Sequence, residues 1–478
     1  MNHKYVYIHT IGCQMNVYDT SRIIAGLQAI GYDHTAGMEK ADLILVNTCT
    51  VRERAEQKAF SFLGRLTALK KENPRLIVGV GGCLAQQEGK AIFKRAPFVD
   101  IVFGTHAVGR LPARISEIEK NRGKIVDIEF ATFIEPILPS TTGTSTPVSG
   151  FVTIMRGCDN FCTYCIVPYV RGREISRDPE EILNEIKAYA DSGMREITLL
   201  GQNVNSYGKK EGLCSFPELL KKVNCIDGIS RIRFTTSHPK DLSDDLIHCF
   251  SRLDRLCNHI HLPVQSGSNN ILKKMSRKYT RELYLEKIEK LRLACPDIAI
   301  TSDMIVGFPG EIDADFQDTL DLMKTVEFDG LFAFCYSDRP HSPSVHFTEK
   351  VSEMVKKERL QQLLNLQETY TRGKNQTHVG KIETVLVEGR SKKNTETEPW
   401  VCATGVAGKA DENQYTGRTS TNKIVNFLWK GNPLSGHFLT PGEIIHIKIT
   451  RALSHSLWGD PVDPGISSQD IKGEHYAA

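Results

Sequence analysis

The sequence predicts a mixed α/β protein of three domains: an N-terminal α/β domain built on a parallel sheet, a central partial (βα)6 barrel, and a small C-terminal β-barrel. Three observations predict it. Val- and Ile-rich runs alternate with helical segments from about residue 5 to about 370, the pattern of parallel strands joined by crossover helices. Residues 140–150, Ser-Thr-Thr-Gly-Thr-Ser-Thr-Pro-Val-Ser-Gly, break the alternation with small, polar, turn-forming residues and read as an interdomain linker. From about residue 381 the helices give way to short strands and turns. The expected boundaries are 1–125, the linker at 140–150, then 151–375 and 378–455, with a polar, disordered tail over 460–478.

In the first domain one pattern occurs three times. The run Tyr5-Val6-Tyr7-Ile8-His9 leads to Gly12-Cys13, the run Leu43-Ile44-Leu45-Val46 leads to Cys49, and the run Leu76-Ile77-Val78-Gly79-Val80 leads to Cys83. Helices are expected after them over 19–30, 52–71 and 85–95. In a parallel sheet all three cysteines emerge at the carboxyl edge, where open α/β sheets bind ligands. Each also stands before a helix amino end, where the dipole favours thiolate. Cys13, Cys49 and Cys83 therefore read as one group of thiols, able to hold an iron–sulfur cluster with one iron left open. The competing reading is three buried cysteines that happen to end strands.

The central domain opens with a strand over 151–155 feeding the loop Cys158-Asp159-Asn160-Phe161-Cys162-Thr163-Tyr164-Cys165. Three cysteines spaced C-x3-C-x2-C are too close together for a disulfide framework, and they supply three of the four thiolates that a four-iron, four-sulfur cluster normally takes. A structural zinc site is the alternative. It would need four ligands, and Cys162 with Cys165 has no second C-x2-C or H-x3-H to complete it.

Further strands are expected over 196–200, 231–235, 259–262, 298–306 and 330–336, with helices over 179–192, 216–223, 244–252, 281–294, 314–326 and 352–371. About six such units make an incomplete parallel barrel whose reactive face is the rim of strand carboxyl ends. The rim loops 201–205, 236–239, 263–268 and 305–311 are rich in Gly, Pro, Asn and Ser, as ordinary turns also are. Gly201, Gln202, Asn203, Gln265 and Ser266 are the candidates there for holding a cofactor or substrate.

Strands are expected in the last domain over 382–387, 400–404, 423–429 and 442–453, and Ile445-His446-Ile447-Lys448-Ile449 alternates as a half-buried strand does. Arg418, Lys423, Lys448 and Arg451, with Arg390, Lys392 and Lys393, are candidates for a phosphate-facing surface. A solvated charged face is the bland alternative.

The net charge of +3 on 478 residues neither demands nor excludes a nucleic-acid partner. Residues 1–10 read as a strand rather than a signal segment, and no apolar run approaches membrane-spanning length. A cytoplasmic protein with no membrane partner is expected. Thirteen cysteines then argue for metal ligation or burial over disulfides. Cys214, Cys225, Cys249, Cys257, Cys295, Cys335 and Cys402 show no ligand spacing and read as incidental thiols.

The C-x3-C-x2-C loop, with Tyr164 before its last cysteine, resembles the signature of radical S-adenosylmethionine enzymes. The segments Gly12-Cys13-Gln14-Met15-Asn16, Asn47-Thr48-Cys49-Thr50-Val51-Arg52-Glu53-Arg54 and Gly82-Cys83-Leu84-Ala85-Gln86 resemble the N-terminal domain of the methylthiotransferases, in particular the MiaB branch that acts on tRNA. Val170-Arg171-Gly172-Arg173-Glu174-Ile175-Ser176-Arg177 and the rim loops are similar to that branch's central domain, and Gly417-Arg418-Thr419 with Asn426-Phe427 resembles its RNA-binding TRAM barrel. Where the family has Gly-Thr, this chain has His341-Ser342.

The resemblance implies two [4Fe-4S] clusters, on Cys13, Cys49, Cys83 and on Cys158, Cys162, Cys165, with S-adenosylmethionine on the open iron of the second. It implies methylthiolation of carbon 2 of N6-isopentenyladenosine beside the anticodon of tRNA, started by a 5′-deoxyadenosyl radical. The tRNA anticodon loop, an electron donor such as flavodoxin or ferredoxin, and a sulfur source are the implied partners, and a monomer is expected. Three alternatives stay open: methylthiolation of threonylcarbamoyl adenosine, modification of a ribosomal-protein aspartate as in the RimO branch, and a non-catalytic RNA-binding metalloprotein. Gln14-Met15, where the RimO branch has Pro-Lys, weighs against the second, and Val51-Arg52-Glu53-Arg54 against the first.

Overall fold

The strands of the first domain end level with one another, and that register positions the cysteines. The computed structural model describes residues 3–50, 53–134, 147–391, 413–429 and 439–462. Six parallel strands lie in the order Tyr32–His34, Lys4–Ile11, Leu43–Thr48, Ile77–Gly82, Ile101–Phe103, Ile125–Asp127. Ile11 pairs with Thr48 and Thr48 with Gly82, so Gly12, Cys49 and Cys83 leave the sheet side by side. The two central strands are buried throughout, as strands covered on both faces must be. Helices Gln14–Gln28 and Leu111–Asn121 pack Ile23, Leu27, Leu111 and Ile115 on one face; Phe62, Leu63, Leu66 and Leu84 cover the other.

Two expected helices change here. The first begins at Gln14 rather than 19, because Cys13 itself occupies the extended N-cap position and its N–H donates to Asn16 Oδ1 at 3.3 Å. The third is divided into Cys83–Glu88 and Ala91–Arg95 at Gly89, whose φ of +50° no helix continues through.

The central strands form two parallel three-stranded sheets, Ser149–Thr153 with Glu196–Leu200 and Arg231–Thr235, and His259–His261 with Ala299–Val306 and Gly330–Cys335. A bridge between Ile232 and Leu256 joins them into an open barrel of six parallel strands. Ser149 and Gly150, expected in the linker, belong to the first of these strands, where they pair with Glu196 and Ile197; residues 135–146 lie outside the described residues. The cysteine loop hangs from a short antiparallel pair, Met155–Arg156 with Ile175–Ser176, and is followed by the short helix Val167–Val170. At His341 φ is +70°, a left-handed conformation that a family glycine adopts without strain.

The last domain is a closed barrel, Ile382–Arg390, Gln414–Arg418, Ile424–Leu428, Leu457–Pro461 and Ile444–Ala452. The expected strand at 400–404 lies outside the described residues, as do Lys392, Lys393 and Cys402. Two strands were not expected, and one corrects the tail. Asp460 pairs with Lys448 inside the barrel instead of beginning a disordered segment. The barrel is held to the core through main-chain oxygens: Arg233 donates to Thr419 O and Ser420 O at 2.7 and 2.9 Å, and Arg231 to Thr384 O at 2.9 Å.

Candidate active site

At the edge of the first sheet Gly12 and Gly82 stand where no side chain would fit. A Cβ on Gly12 would fall 2.9 Å from Cys49 Cβ, and one on Gly82, whose φ is +89°, would meet Thr48 O at 2.4 Å. Asn16 and Asn47, both buried, lock the two neighbouring strand ends together: Asn16 Nδ2 donates to Asn47 Oδ1 at 3.1 Å and Asn47 Nδ2 to Asn16 O at 2.9 Å.

The thiols of Cys13, Cys49 and Cys83 (the first triad) then meet. Cys49 donates toward both neighbours. This pushes its own pKa well up and draws Cys13 down to about 6, helped by Arg171 and by the N–H groups of Asn16 and Met15. Cys83 is lowered by the same Cys49 thiol and by Arg171. Cys49 and Cys83 are buried while Cys13 is exposed, so the group is open on one side.

In the loop of Cys158, Cys162 and Cys165 (the second triad) each thiol has a donor, and Cys158 also takes the Asn160 N–H. Asn160 Nδ2 lies 3.6 Å from Cys158 Sγ, Arg277 Nη1 3.4 Å from Cys162 Sγ, and the Val167 N–H 3.4 Å from Cys165 Sγ. Arg277 is anchored on Tyr279 Oη at 3.0 Å and Pro263 O at 2.7 Å, and Lys240 steadies Asn160 Oδ1 at 2.7 Å. Burial pushes the unliganded Cys158 and Cys165 thiols up to about 11 and about 12. Donors on the sulfurs suit thiolates bound to a cluster.

The two triads share a wall. Cys83 packs against Ile166 and Val170, which directly follow Cys165 in the chain. Asp19 on the first-domain helix pairs with Arg171 at 3.1 Å, and Arg177 pairs with Glu185 at 2.6 Å, where Tyr18 Oη also donates at 3.2 Å.

The expected rim residues divide. Gln202 turns inward, its Oε1 accepting from the Gly157 N–H at 2.6 Å, so it ties down the cysteine loop. Ser266 accepts from the Ser268 N–H at 3.2 Å, Gln265 is buried with φ +73°, and Gly201 lies against Met155. Asn203 donates to Asp241 at 2.8 Å and leaves its Oδ1 buried without a partner. So do Asn205 Oδ1, Ser237 Oγ and His238 Nε2, all on rim loops. These orphaned atoms are the cradle that a polar cofactor would fill. Their loops were singled out by sequence, but of the four only Asn203 was. Arg277 was missed, since nothing in the spacing marks a residue more than a hundred positions away as a thiol's donor, and Asn160, inside the loop, was not singled out as one.

The candidates on the last barrel also separate. Lys448 and Arg451 are exposed, with Arg451 over the Trp458 ring at 5.2 Å. Arg418 is turned to Glu388 at 2.7 Å. Lys423 is a correction: it is buried against the core and pairs with Asp329 at 3.6 Å, so it faces no phosphate.

Comparison with known proteins follows the same division. The Radical SAM superfamily matches residues 152–323, and an uncharacterized protein family, UPF0004, matches residues 5–104. A tRNA-2-methylthio-N(6)-dimethylallyladenosine synthase of Desulfosudis oleivorans is 53% identical over 99% of this chain and 100% of its own length. The chain belongs to that synthase family. A second member, from Syntrophus aciditrophicus, is 51% identical over 96% of this chain and 95% of its own. Among solved structures, the radical S-adenosylmethionine methyltransferase TsrM from Kitasatospora setae, with cobalamin and a [4Fe-4S] cluster bound, shares the fold at TM-score 0.53 and 15% identity. The match covers 72% of this chain and 77% of that one. Among the described residues no helix is long and apolar enough to cross a membrane.

Proposed function

We propose that this protein is a radical S-adenosylmethionine methylthiotransferase that adds a methylthio group to carbon 2 of N6-dimethylallyladenosine next to the anticodon in tRNA. One observation supports the reading: Cys83 of the first triad packs against Ile166 and Val170, the segment that follows Cys165 of the second, in a chain 53% identical to a synthase named for that reaction. Cys158, Cys162 and Cys165 would hold one [4Fe-4S] cluster, and Cys13, Cys49 and Cys83 a second. Bound there with S-adenosylmethionine, the clusters supply one-electron cleavage of the sulfonium and a site for sulfur.

The chain's own groups do the rest. Asn203, Asn205, Ser237 and His238 offer buried polar atoms to the cofactor, with His238 kept neutral, its pKa held down at about 2 by burial and by Arg277. Ile166 and Val170 pack an apolar surface against Cys83. The closed C-terminal barrel is a TRAM-type RNA-binding domain, presenting Lys448 and Arg451 to the phosphates of the anticodon stem. A flavodoxin or ferredoxin would supply electrons, and a separate source would supply sulfur. With a tRNA substrate the enzyme works in the cytoplasm, as a monomer.

Mass spectrometry of tRNA nucleosides from cells lacking the protein tests this. The methylthio form of N6-dimethylallyladenosine should vanish and return with the wild-type chain, but not with Cys13→Ala or Cys158→Ala. Unchanged nucleosides would defeat the assignment.

A further inference from the structure

We infer that Arg171 is a positioning residue for the anionic sulfur donor, holding hydrosulfide or methanethiolate against the first triad. The inference rests on the function proposed above. Arg171 is buried, with a side chain 4% exposed, and it carries a full charge into the wall between the triads. A guanidinium has five N–H donors. Its Nη2 reaches Asp19 Oδ2 at 3.1 Å, while Nη1 is buried without a hydrogen-bond partner. Cys83 and Cys13 are its other neighbours, and Cys83 lies in side-chain contact. A buried guanidinium with one arm on a carboxylate and an unpartnered Nη1, beside the first triad, is a seat for a small anion.

The main chain that carries Arg171 is clamped between the two domains. Its N–H donates to Val167 O at 2.8 Å, and Thr105 Oγ1 donates to Val170 O at 2.8 Å. His106 Nε2 donates to Arg171 O at 2.9 Å; the Ala131 N–H donating to Nδ1 at 3.1 Å assigns that tautomer. Thr105, His106 and Asp19 belong to the first domain and Arg171 to the second, so docking of the two domains places the Arg171 main chain and gives its guanidinium a carboxylate partner.

The test is a titration of the full-length, anaerobically reconstituted protein with sodium methanethiolate, followed by the electron paramagnetic resonance of the reduced clusters, with iron content measured in parallel. Arg171→Met should weaken methanethiolate binding about tenfold or more, the loss expected of a charged hydrogen bond, with Arg171→Lys between it and wild type and iron unchanged. Equal affinity in wild type and Arg171→Met would overturn the proposal. If Arg171→Met loses iron from the first triad, the lysine variant decides. Weakened binding with full iron supports the proposal, and wild-type affinity or loss of iron there too refutes it in favour of a purely structural role. Asp19→Asn separates the two further, since it breaks the ion pair but keeps the guanidinium, and binding should survive. If the wild-type protein takes up no iron at the first triad, the function proposed above fails instead.

Discussion

Replacing Gly157 with alanine probes how tightly the loop of the second triad is built. Its φ is +81°, and a Cβ there would stand 2.0 Å from the Arg173 carbonyl oxygen. Gly193 is a matched control, with φ +97° and nothing within 4 Å of the new Cβ. Left-handed backbone costs an alanine about 1–2 kcal/mol at either site. Only at 157 must main chain also move, adding about 1–3 kcal/mol. Gly157→Ala is therefore the more damaging by about 1–3 kcal/mol, or roughly 2–12 °C for a folding unit of this size. The main chain that moves carries the Gly157 N–H bond to Gln202 and the Cys158 N–H bond to Gly172 O at 3.2 Å, so Cys158 is displaced with it. Thermal unfolding of the iron-free proteins, followed at the first transition because several domains are present, gives the stability difference. Iron content after reconstitution gives the consequence for the site. The reasoning is refuted if both variants lose equal stability and both take up the wild-type amount of iron.

Three further outcomes follow from the same contacts. Glu185→Gln strands Arg177 beside a neutral partner in a buried pair and should cost about 3–5 kcal/mol, read as faster hydrogen exchange in the helix Gln14–Gln28 that Tyr18 anchors there; unchanged exchange would contradict the interdomain role. Burial holds His106, His238 and His259 down at about 4, about 2 and about 3, so below the ordinary value of about 6.5 the unfolded chain binds protons that the folded one refuses. Stability of the iron-free protein should accordingly fall as the pH drops from about 6.5 toward 4. Glu174, raised to about 7 by burial, opposes this, because its contribution is present at acid pH and lost as pH rises through 7. A urea midpoint as high at pH 5 as at pH 7.5 would count against buried neutral histidines. Lys448→Ala and Arg451→Ala should weaken tRNA binding and reduce its salt dependence by about one ion each, whereas Lys423→Ala should leave the salt slope alone and loosen the barrel from the core.

What the sequence made legible was whatever a local period or a fixed spacing encodes. The strands Glu196–Leu200 and Arg231–Thr235 and the helices Asp244–Arg252 and Arg281–Ala294 fall where the alternation placed them. The convergence of Cys13, Cys49 and Cys83 followed from parallel strands alone, since equal repeats end at one edge. The strands Tyr32–His34, Ile101–Phe103 and Ile125–Asp127 did not announce themselves, because three residues are too few to show an alternation. The helix start at Gln14 was hidden because cysteine is not an ordinary capping residue and Asp19, a better-looking cap, follows it. Asp19 instead serves Arg171, far along the chain and in another domain. Lys423 looked like a phosphate ligand for a similar reason. Its charge is visible in the sequence, but the Asp329 that buries it belongs to the core strands' side of the interface.

The central claim is that each triad holds its own cluster, and iron and acid-labile sulfide on three purified, anaerobically reconstituted proteins test it most directly. The wild-type chain should carry about eight of each, while Cys13/Cys49/Cys83→Ala and Cys158/Cys162/Cys165→Ala should each carry about four, with S-adenosylmethionine cleavage on reduction surviving only in the former. Loss of all iron on removing either triad, or none on removing one of them, would contradict two independent clusters.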